Sequence, residues 1–403
     1  MTLNTFFHHR KIRVMQKKTN LELVKQNISK ANGLSNEHYI DQSIFDEEKN
    51  SILFNQWAGL DVCSEIPEVG DSKPIDFMGL PLFIIRDTQN VVRVFQNTCR
   101  HRGMILVEQT KNIQGAIRCP YHSWCYSTKG KLVSTPHVGG PGQNTDKYID
   151  RSKLSLVEIR SHVWRDVIWV NVDGTAKPFE EVMASTIKRW RELDQNLYHG
   201  GEDGKFSLKV KGNWKLAVEN YCESYHLPWI HPGLNSYSRL EDHYNIVKYG
   251  SHSGQGSLVY KQLTDEKGQK FPDFKNLSRK WATGAEYIAL YPNVLLGVHR
   301  DHAYVIILLP LSFSETIENV HIYYSQPGAN PSLKKKNKKQ WKEIFEEDIF
   351  VVEGMQAGRF GIKFDGGRFS PKMDEPTHCF HDWVASKVDD FRNQNRQIAS
   401  VTE

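Results

Sequence analysis

The chain has 403 residues, of which 39% are hydrophobic and 11% are aromatic, and its formal net charge at pH 7 is +5. This length is sufficient for about two domains that each bury a core. No stretch approaches the roughly 20 apolar residues of a membrane-spanning helix. The most apolar stretch, YVIILLPLSF, is short and contains Pro310. These features predict a soluble globular protein.

The cysteines and the basic clusters indicate where the protein is located and which partners it does not bind. Six cysteines, at positions 63, 99, 119, 125, 222 and 379, are too few and too scattered for a disulfide framework, so we expect a reducing, cytoplasmic location. The N-terminus has no apolar signal core, and its basic stretch HHRKIRVMQKK leaves an organelle transit peptide as a minor alternative. We expect this stretch and the lysine run KKKNKK to be solvated surface, since neither is interleaved with aromatic residues as nucleic-acid-binding stripes are.

Alternating apolar runs, separated by Gly, Asp, Asn and Pro, predict a small β-rich domain between residues 60 and 172. The runs are PLFIIRD, VVRVFQN, GAIRCP, KLVSTP and LSLVEIRSHVWRDVIWVNVDG, and a helix-like stretch precedes them at 47–57. VDGTAKPFEEV indicates a linker leading into a helix. Beyond it, helical patterns at 214–226 and 338–357 alternate with the predicted strands SLVYKQL, YVIILLP and NVHIYYSQ. The second half is therefore predicted to be α+β.

Two cysteine–histidine pairs lie within the β-rich part. Cys99 and His101 are two residues apart, and after seventeen further residues Cys119 and His122 are three apart. In a reducing compartment this pairing usually means a metal, and zinc is the simplest alternative. Zinc fingers pair cysteine with cysteine and histidine with histidine, whereas each turn here offers one thiolate and one imidazole. The mixed pairing favours a two-iron cluster in which both sulfurs bind one iron and both imidazoles bind the other.

A second group of candidate ligands lies in the stretch NWKLAVENYCESYHLPWIHP at 213–232. Asn213 is a suitable helix cap, and Asn220, Glu223 and His226 follow at i, i+3 and i+6 along one predicted polar stripe. Pro228 disfavours helix at the residue before it, so His231 is expected on a following turn. That break lets the imidazoles of the two histidines converge on one ion.

The third ligand is predicted from the helical stretch KKQWKEIFEEDIFVVEGMQAG. Its apolar stripe makes position 348 face inward, where Asp348 would cost several kcal/mol unless it were paired or bound to a cation. On the same helical wheel Glu346 and Glu347 point toward solvent. Two histidines and one carboxylate form the facial triad of a non-heme ferrous oxygenase. The alternatives are an N-cap or buried salt bridge for Asp348, and core or surface positions for the histidines.

The motifs CRHRG and CPYHSW resemble the pattern C-x-H-R-G…C-P-Y-H-G-W of the α (oxygenase) subunit of Rieske non-heme iron oxygenases, the aromatic-ring-hydroxylating type. Ser123 stands where the family usually has glycine, and the resemblance extends over roughly residues 45 to 390. It implies a 2Fe-2S Rieske cluster and a mononuclear Fe(II). The implied cluster ligands are Cys99, His101, Cys119 and His122, and the implied iron ligands are His226, His231 and Asp348.

The resemblance also implies the domain organisation. Residues 1–50 would form an N-terminal segment that packs with the catalytic domain, and residues 51–170 would form the β-rich Rieske domain. Residues 171–403 would form a helix-grip-like catalytic domain with an antiparallel sheet and helices. The whole chain is thus expected to be α+β.

Two further residues receive roles from the resemblance. Glu223 stands where the family has an aspartate that bridges, across a subunit boundary, to the cluster histidine that is His122 here. The family's mechanism passes one electron from the cluster through these two residues to the iron of the neighbouring subunit. Asn220 is expected near the iron, with a helix-surface amide as the alternative, and Glu223 has the alternative of a plain surface acid.

The expected activity is hydroxylation of a small organic substrate with O2. A glutamate at position 223 occurs in relatives that act on quaternary amines such as carnitine and betaines, so a quaternary or N-methylated amine is favoured, with monooxygenation or N-demethylation. The alternative is an aromatic acid, as substrate of a ring-hydroxylating dioxygenase or an O-demethylase. Seven aromatic side chains could form a cage for a cation, although most are expected to be core: Tyr221, Tyr225, Trp229, Tyr287, Tyr291, Phe360 and Phe364.

External partners are implied as well. The only stretch similar to a dinucleotide-binding glycine motif, SHSGQGSLV, is predicted to precede a strand rather than follow one. Electrons would therefore come from a separate NAD(P)H-dependent flavin or iron–sulfur reductase, and the lysine run at 334–339 is a weak candidate for docking an acidic electron-transfer partner. The family resemblance suggests a homotrimer, and no nucleic acid or membrane is expected.

Overall fold

The computed structural model describes residues 21–402, and its strands form three antiparallel sheets. The strands of the first half are β1 (Ala58–Val62), β2 (Asp71–Phe77), β3 (Leu80–Arg86), β4 (Val92–Gln96), β5 (Lys111–Asn112), β6 (Ala116–Arg118), β7 (Cys125–Ser127), β8 (Leu132–Ser134), β9 (Glu158–Trp164) and β10 (Val167–Asn171). Those of the second half are β11 (Tyr198–His199), β12 (Lys205–Val210), β13 (His243–Lys248), β14 (His252–Ser257), β15 (Ala285–Leu290), β16 (Val294–Val298), β17 (His302–Ser312) and β18 (Glu315–Tyr324).

The sheets divide the chain into a β-rich first half and a mixed second half. A seven-stranded sheet has the order β1-β10-β9-β4-β3-β2-β5, and a three-stranded sheet, β6-β7-β8, accompanies it. An eight-stranded sheet has the order β11-β18-β17-β16-β15-β14-β13, with β12 also paired to β18. The predicted α+β class is confirmed.

The α-helices are α1 (Glu37–Ile40), α2 (Gln42–Glu48), α3 (Phe179–Val182), α4 (Ala184–Arg189), α5 (Trp214–Tyr221), α6 (Leu227–Ile230), α7 (Pro232–Asn235), α8 (Pro331–Gly358) and α9 (Glu375–Thr402). Of these, α5, α8 and α9 pack against strands of the eight-stranded sheet. Within residues 21–402, none of these helices is long and apolar enough to cross a membrane. The basic stretch at the start of the sequence lies outside the described residues.

The predicted strands of the first half are confirmed, and the longest predicted run forms a hairpin. β9 and β10 pair with Trp164 opposite Val167, so the connecting turn consists of Arg165 and Asp166. Both turn residues have positive φ, at 52° and 69°. A two-residue turn of this kind matches the twist of antiparallel strands.

Two predictions about local structure are wrong. SLVYKQL is not a strand, because β14 ends at its first residue, Ser257. The glycines of SHSGQGSLV instead lie within β14, so they neither precede nor follow a strand. A Cβ atom on Gly254 would lie 2.1 Å from the carbonyl oxygen of Tyr287 on β15, so only glycine fits this close backbone approach.

The observed helices begin and end at other residues than the predicted ones. The helix predicted at 214–226 ends at Tyr221, and the stretch at 47–57 contains a π-helical turn, Lys49–Leu53, instead of an α-helix. α8 begins at Pro331, seven residues before the predicted start, because the Asn330 side chain accepts a hydrogen bond from the Ser332 N–H and caps it.

A network of buried charges fixes α5 against the N-terminal segment and α8. Lys215 and Glu48 are both fully buried and form an ion pair. Glu219 accepts a hydrogen bond of 2.5 Å from the Tyr39 hydroxyl and lies 3.5 Å from the Arg359 guanidinium. Because an unpaired buried charge is costly, these contacts define the position of α5 and of the residues that follow it.

Polar contacts also connect the two large sheets. The Asn293 side chain exchanges two hydrogen bonds of 2.8 Å with the backbone of Gly59 on β1. Lys205 lies 3.0 Å from Glu65, and the Tyr323 hydroxyl donates to Asp166 at 3.0 Å. The domain boundaries themselves, 51–170 and 171–403, stay a prediction.

Candidate metal sites

The two cysteine–histidine pairs come together in two neighbouring turns. Cys99 and Cys119 are 3% and 1% exposed, and their thiols interact. The rings of His101 and His122 lie 4.8 Å apart and are more exposed. Sulfur is therefore paired with sulfur inside, and imidazole with imidazole outside.

The backbone of the two turns follows one pattern. The Gly103 N–H donates to the Cys99 carbonyl at 3.0 Å, and the Ser123 N–H donates to the Cys119 carbonyl at 3.1 Å. Both donors have left-handed φ, 76° for Gly103 and 56° for Ser123. Serine tolerates this conformation at a modest cost, so the departure from the family's glycine leaves the turn intact.

The donor set fits a two-iron cluster. The Nδ1 atom of His122 is buried and has no hydrogen-bond partner among residues 21–402, which is unfavourable unless an ion takes that lone pair. Burial, and then the adjacent Cys99 thiol, raises the pKa of Cys119, so the Cys119 thiol is expected to stay neutral unless a metal deprotonates it. The separation of sulfur from nitrogen suits a cluster whose two irons take different ligands.

His226, His231 and Asp348 form a second candidate metal site. One ligand atom from each lies within 4.8 Å of the ligand atoms of the other two. Within residues 21–402, no other set of three or more His, Cys, Asp or Glu side chains has its ligand atoms this close together. Asp348 Oδ1 lies 3.0 Å from His231 Nε2 and 3.6 Å from His226 Nε2. Three ligands on one side would leave the remaining positions of an ion open, as in non-heme ferrous oxygenases.

The chain reaches this geometry through a break after α5. The Glu223 carboxylate accepts the backbone N–H groups of Tyr225 and His226, which a continuing helix would have donated to the carbonyls four residues earlier. The Glu223 carbonyl accepts instead from the Gln255 side chain at 3.0 Å. The predicted stripe on one helix was therefore wrong, since Glu223 and His226 lie beyond its end.

The predicted effect of Pro228 was also wrong. Pro228 is the second residue of α6, a position that tolerates proline, and helix continues through it. His231 follows at the end of that short helix, and the two imidazole rings lie 5.2 Å apart at 69°. The expected convergence of the histidines is present, but the single short helix α6 between them produces it.

Each histidine of the second site has a glutamate at its other nitrogen. His226 Nδ1 lies 2.6 Å from Glu223 Oε1, and His231 Nδ1 lies 2.7 Å from Glu347 Oε2. The expectation that Glu347 points only into solvent was wrong: its side chain is 47% exposed, yet its carboxylate reaches His231. A carboxylate behind a ligating histidine fixes the ring and its tautomer.

Comparisons with known proteins agree with both sites. Residues 56–148 match the Rieske [2Fe-2S] domain, and residues 197–390 match the ring hydroxylating alpha subunit (catalytic domain). The chain belongs to the Rieske non-heme iron oxygenases. The Rieske domain of this family binds a 2Fe-2S cluster and its catalytic domain binds mononuclear iron.

Individual relatives of this Rieske oxygenase are distant. The carnitine monooxygenase oxygenase subunit of Escherichia coli (strain K12) is 25% identical over 328 residues, 79% of this chain and 82% of that protein. The putrescine 2-hydroxylase of Bordetella bronchiseptica is 26% identical over 380 residues, 86% and 82%. The structure of the quaternary ammonium Rieske monooxygenase CntA with substrate L-carnitine has a TM-score of 0.74 at 21% identity, covering 92% of this chain and 99% of that one.

A cavity of about 430 Å³ opens onto the second site of the oxygenase. Its aromatic walls are Tyr221, Tyr287, Tyr304, Trp341 and Phe345, and its polar residues include Asn220, His243 and Gln255. Asn220 is buried and lines this cavity, so it does not lie on the surface of a helix.

Only two of the seven aromatic residues predicted as candidates for a cation cage line the cavity. Tyr221 and Tyr287 line the cavity, whereas Tyr291 is core. The other four are exposed rather than core: Tyr225, Trp229, Phe360 and Phe364. Tyr304, Trp341 and Phe345, which were not among the predicted candidates, complete the wall.

Two buried groups around Asp348 have shifted pKa values. Burial alone would lower the pKa of His231, but hydrogen bonds and charge from Asp348 and Glu347 outweigh it, and the pKa is raised. Burial, followed by the charge of Asp348, raises the pKa of Glu318 to about 8. Glu318 was not predicted, because Ile317 beside it gives no apolar alternation that marks position 318, and its inward direction is visible only in the burial of residues 316, 318 and 320 along β18.

Proposed function

We propose that this Rieske oxygenase hydroxylates an N-methyl group of a quaternary or N-methylated ammonium substrate. The observation that carries the proposal is the aromatic cavity beside His226, His231 and Asp348. Among its described lining residues there is no lysine or arginine, and three tyrosines, one tryptophan and one phenylalanine surround it. An ammonium ion is attracted to aromatic faces, and a cavity lined by neither lysine nor arginine is poorly suited to an aromatic acid.

The rings of the cavity lie close enough to act together. Tyr304 and Trp341 have ring centroids 4.6 Å apart, and Trp341 and Phe345 have centroids 5.7 Å apart. The Tyr221 hydroxyl donates to the Tyr304 hydroxyl at 3.2 Å, which fixes the direction of both rings. Two relatives support a cationic amine, since their names include carnitine and putrescine.

The residues of the two sites would have distinct tasks. His226, His231 and Asp348 would hold Fe(II) through Nε2 of each histidine and the aspartate Oδ1. Cys99, Cys119, His101 and His122 would hold the 2Fe-2S cluster. When bound, these groups supply O2 activation and one-electron storage, respectively. The cavity residues would hold the methyl group next to the open side of the metal site and exclude bulk water.

Glu223 is proposed to connect subunits. Its Oε2 atom already accepts two backbone N–H groups of the same chain. Oε1 accepts one hydrogen bond, from His226 Nδ1, and its second lone pair can still accept a hydrogen bond from His122 of a neighbouring copy. We propose a homotrimer in which this contact forms, with electrons supplied by a separate NAD(P)H-dependent reductase.

The proposed overall reaction consumes one O2, two electrons and two protons. One oxygen atom enters the N-methyl C–H bond and the other leaves as water. The hydroxymethyl product is a hemiaminal, which breaks at the C–N bond to release formaldehyde and the demethylated amine. Where the hydroxyl group is placed on another carbon, no formaldehyde forms.

A substrate screen with a surrogate reductase tests this proposal. Carnitine, betaines and choline would be compared with benzoates and phthalates, following O2 uptake and formaldehyde together. We expect a quaternary amine to give about one formaldehyde per O2 consumed. Coupled O2 uptake with a benzoate or phthalate and with none of the amines would overturn the proposal.

A further inference from the structure

The outer nitrogen of His231 is held by a residue that the sequence assigned to solvent. Glu347 Oε2 lies 2.7 Å from His231 Nδ1, and Asp348 Oδ1 lies 3.0 Å from Nε2 of the same ring. The imidazole is 3% exposed, while the Glu347 side chain is 47% exposed. Two consecutive residues of α8 therefore contact opposite edges of one buried ring.

Helix geometry explains why this pair needs one short and one long acid. Successive residues of an α-helix point about 100° apart, so two adjacent side chains of equal length diverge. Asp348 points directly at the ring from the cavity side. Glu347 leaves the helix on its outer side, and its extra methylene lets the carboxylate return to the far edge of the ring.

Glu347 also separates His231 from open space. It lines a second cavity together with residues 261–264, and this cavity shares Leu234 and Ile344 with the aromatic cavity. His231 is not part of that lining, whereas Glu347 both lines the second cavity and contacts the Nδ1 edge of the ring. Without it, the polar edge of a buried imidazole would meet water in place of a fixed acceptor.

We propose that Glu347 is a positioning residue for the metal site. Its carboxylate accepts a hydrogen bond from the Nδ1–H group of His231, so that Nε2 of the same ring presents its lone pair to the ion. It acts on His231 as Glu223 acts on His226, which lies 2.6 Å from its own carboxylate. Such carboxylate–histidine pairs orient the ligand and raise its basicity toward the metal. The inference requires His231 to be a metal ligand and does not depend on which substrate is used.

Metal affinity tests this inference directly. The variants Glu347→Ala and Glu347→Gln would be stripped of mononuclear iron and titrated with Fe(II) against a competing chelator, with the visible spectrum of the cluster as a check on folding. We expect Glu347→Ala to weaken Fe(II) binding by roughly 10- to 100-fold. Glu347→Gln should fall between it and the unaltered protein, because the amide oxygen still accepts from Nδ1 but carries no charge.

Glu346 provides a matched control. It is the preceding residue on α8, is 46% exposed, and pairs with Lys342 at 3.4 Å instead of with a histidine. Glu346→Ala and Glu346→Gln should change Fe(II) affinity by less than about twofold, since an exposed ion pair contributes little. Unchanged Fe(II) affinity in Glu347→Ala, or equal losses in the 346 and 347 variants, would overturn the proposal. If only the Glu347 variants lost Fe(II) affinity and the enzyme released no formaldehyde, the positioning role of Glu347 would be supported and only the proposed substrate class would be wrong.

Discussion

His226 and His231, which flank the short helix α6, are held in the same way. Each presents Nε2 to Asp348 and Nδ1 to a glutamate. Because the second nitrogen of each ring has a fixed partner, the tautomer that leaves Nε2 free for a metal is favoured. The geometry is therefore set by the protein before any ion binds.

The proposed bridging role of Glu223 leads to a prediction at the residue scale. We expect Glu223→Ala to keep the cluster but to bind Fe(II) more weakly, because His226 loses the carboxylate at Nδ1. Once the variant is reloaded with iron, electron transfer from the cluster should still be slower by at least about tenfold, since a hydrogen-bonded connection is lost. Glu223→Asp, which restores the family's residue, should retain part of the rate. Rapid-mixing measurement of cluster oxidation on exposure to O2 and substrate gives the rate.

The control for this experiment is the iron content of each variant. A slow Glu223→Ala enzyme with full iron supports the bridge. Normal coupled turnover in that variant would show that electrons reach the iron without Glu223.

Sequence reasoning proposed the metal ligands and the supporting residue Glu223, but not Glu347 or Glu318. Spacing pointed to the cysteine–histidine pairs, and a helical stripe distinguished Asp348 from its two acidic neighbours. The same stripe placed Glu347 in solvent, because a helical wheel gives the direction in which a side chain leaves the helix and not where its carboxylate ends. The closeness of Glu318 to Asp348 depends on packing between β18 and α8, which has no local signal.

At the scale of elements, strand positions followed from the sequence better than helix ends did. Apolar alternation locates a strand regardless of its partners. α5 ends at Tyr221 because the Glu223 carboxylate takes two backbone N–H groups and Gln255 takes a carbonyl. The second of these competing contacts comes from a strand some thirty residues away, so local propensity could not reveal it.

Two glycines test the packing of these elements. Gly254 faces the backbone of β15, where a Cβ atom would meet the Tyr287 carbonyl oxygen at 2.1 Å, whereas Gly354 on α8 has open space around it. We expect Gly254→Ala to lower the free energy of unfolding by about 1–3 kcal/mol through overpacking. Gly354→Ala should raise it by about 0.5–1 kcal/mol through helix propensity.

Chemical denaturation of both variants measures the two free energies. If both variants changed the free energy of unfolding by the same amount and in the same direction, the backbones of β14 and β15 could not approach closely at Gly254.

A histidine pair between β11 and β18 predicts a pH dependence of stability. His321 Nδ1 lies 3.1 Å from His199 Nε2, and burial, followed by the charge of His199, lowers the pKa of His321 to about 3. The unfolded chain, with a histidine pKa of about 6.5, binds the proton more readily. Stability from this group is therefore complete above pH 6.5 and is lost as pH falls from about 6.5 toward 3.

The free energy of unfolding should be about 2 kcal/mol lower at pH 5 than at pH 7 because of His321 alone. Far-UV circular dichroism melts at the two pH values would measure the loss, and His321→Gln should show a smaller difference between them. An identical pH dependence in the variant would exclude His321 as a source. His252, whose pKa burial lowers to about 4, should leave a residual dependence in both proteins.

At the scale of the whole molecule, the two candidate metal sites belong to different sheets of one chain. The cysteine–histidine turns accompany the strands of the first half, and the histidine–aspartate site lies against the eight-stranded sheet. The contacts that connect the sheets, such as Lys205 with Glu65, join residues far apart in sequence and carry no local signal. The fold class could therefore be predicted from the sequence, whereas the way in which the sheets meet could not.

The most direct test of the account is a count of metal and acid-labile sulfide per chain in the unaltered protein and in Asp348→Ala. The account predicts about three irons and two sulfides per chain in the first. It predicts about two irons, two sulfides and an unchanged visible spectrum in the variant, because only the mononuclear site is lost. A colourless protein that contains zinc and no labile sulfide, or a variant that loses the cluster together with the third iron, would contradict the division of the chain into two separate metal sites.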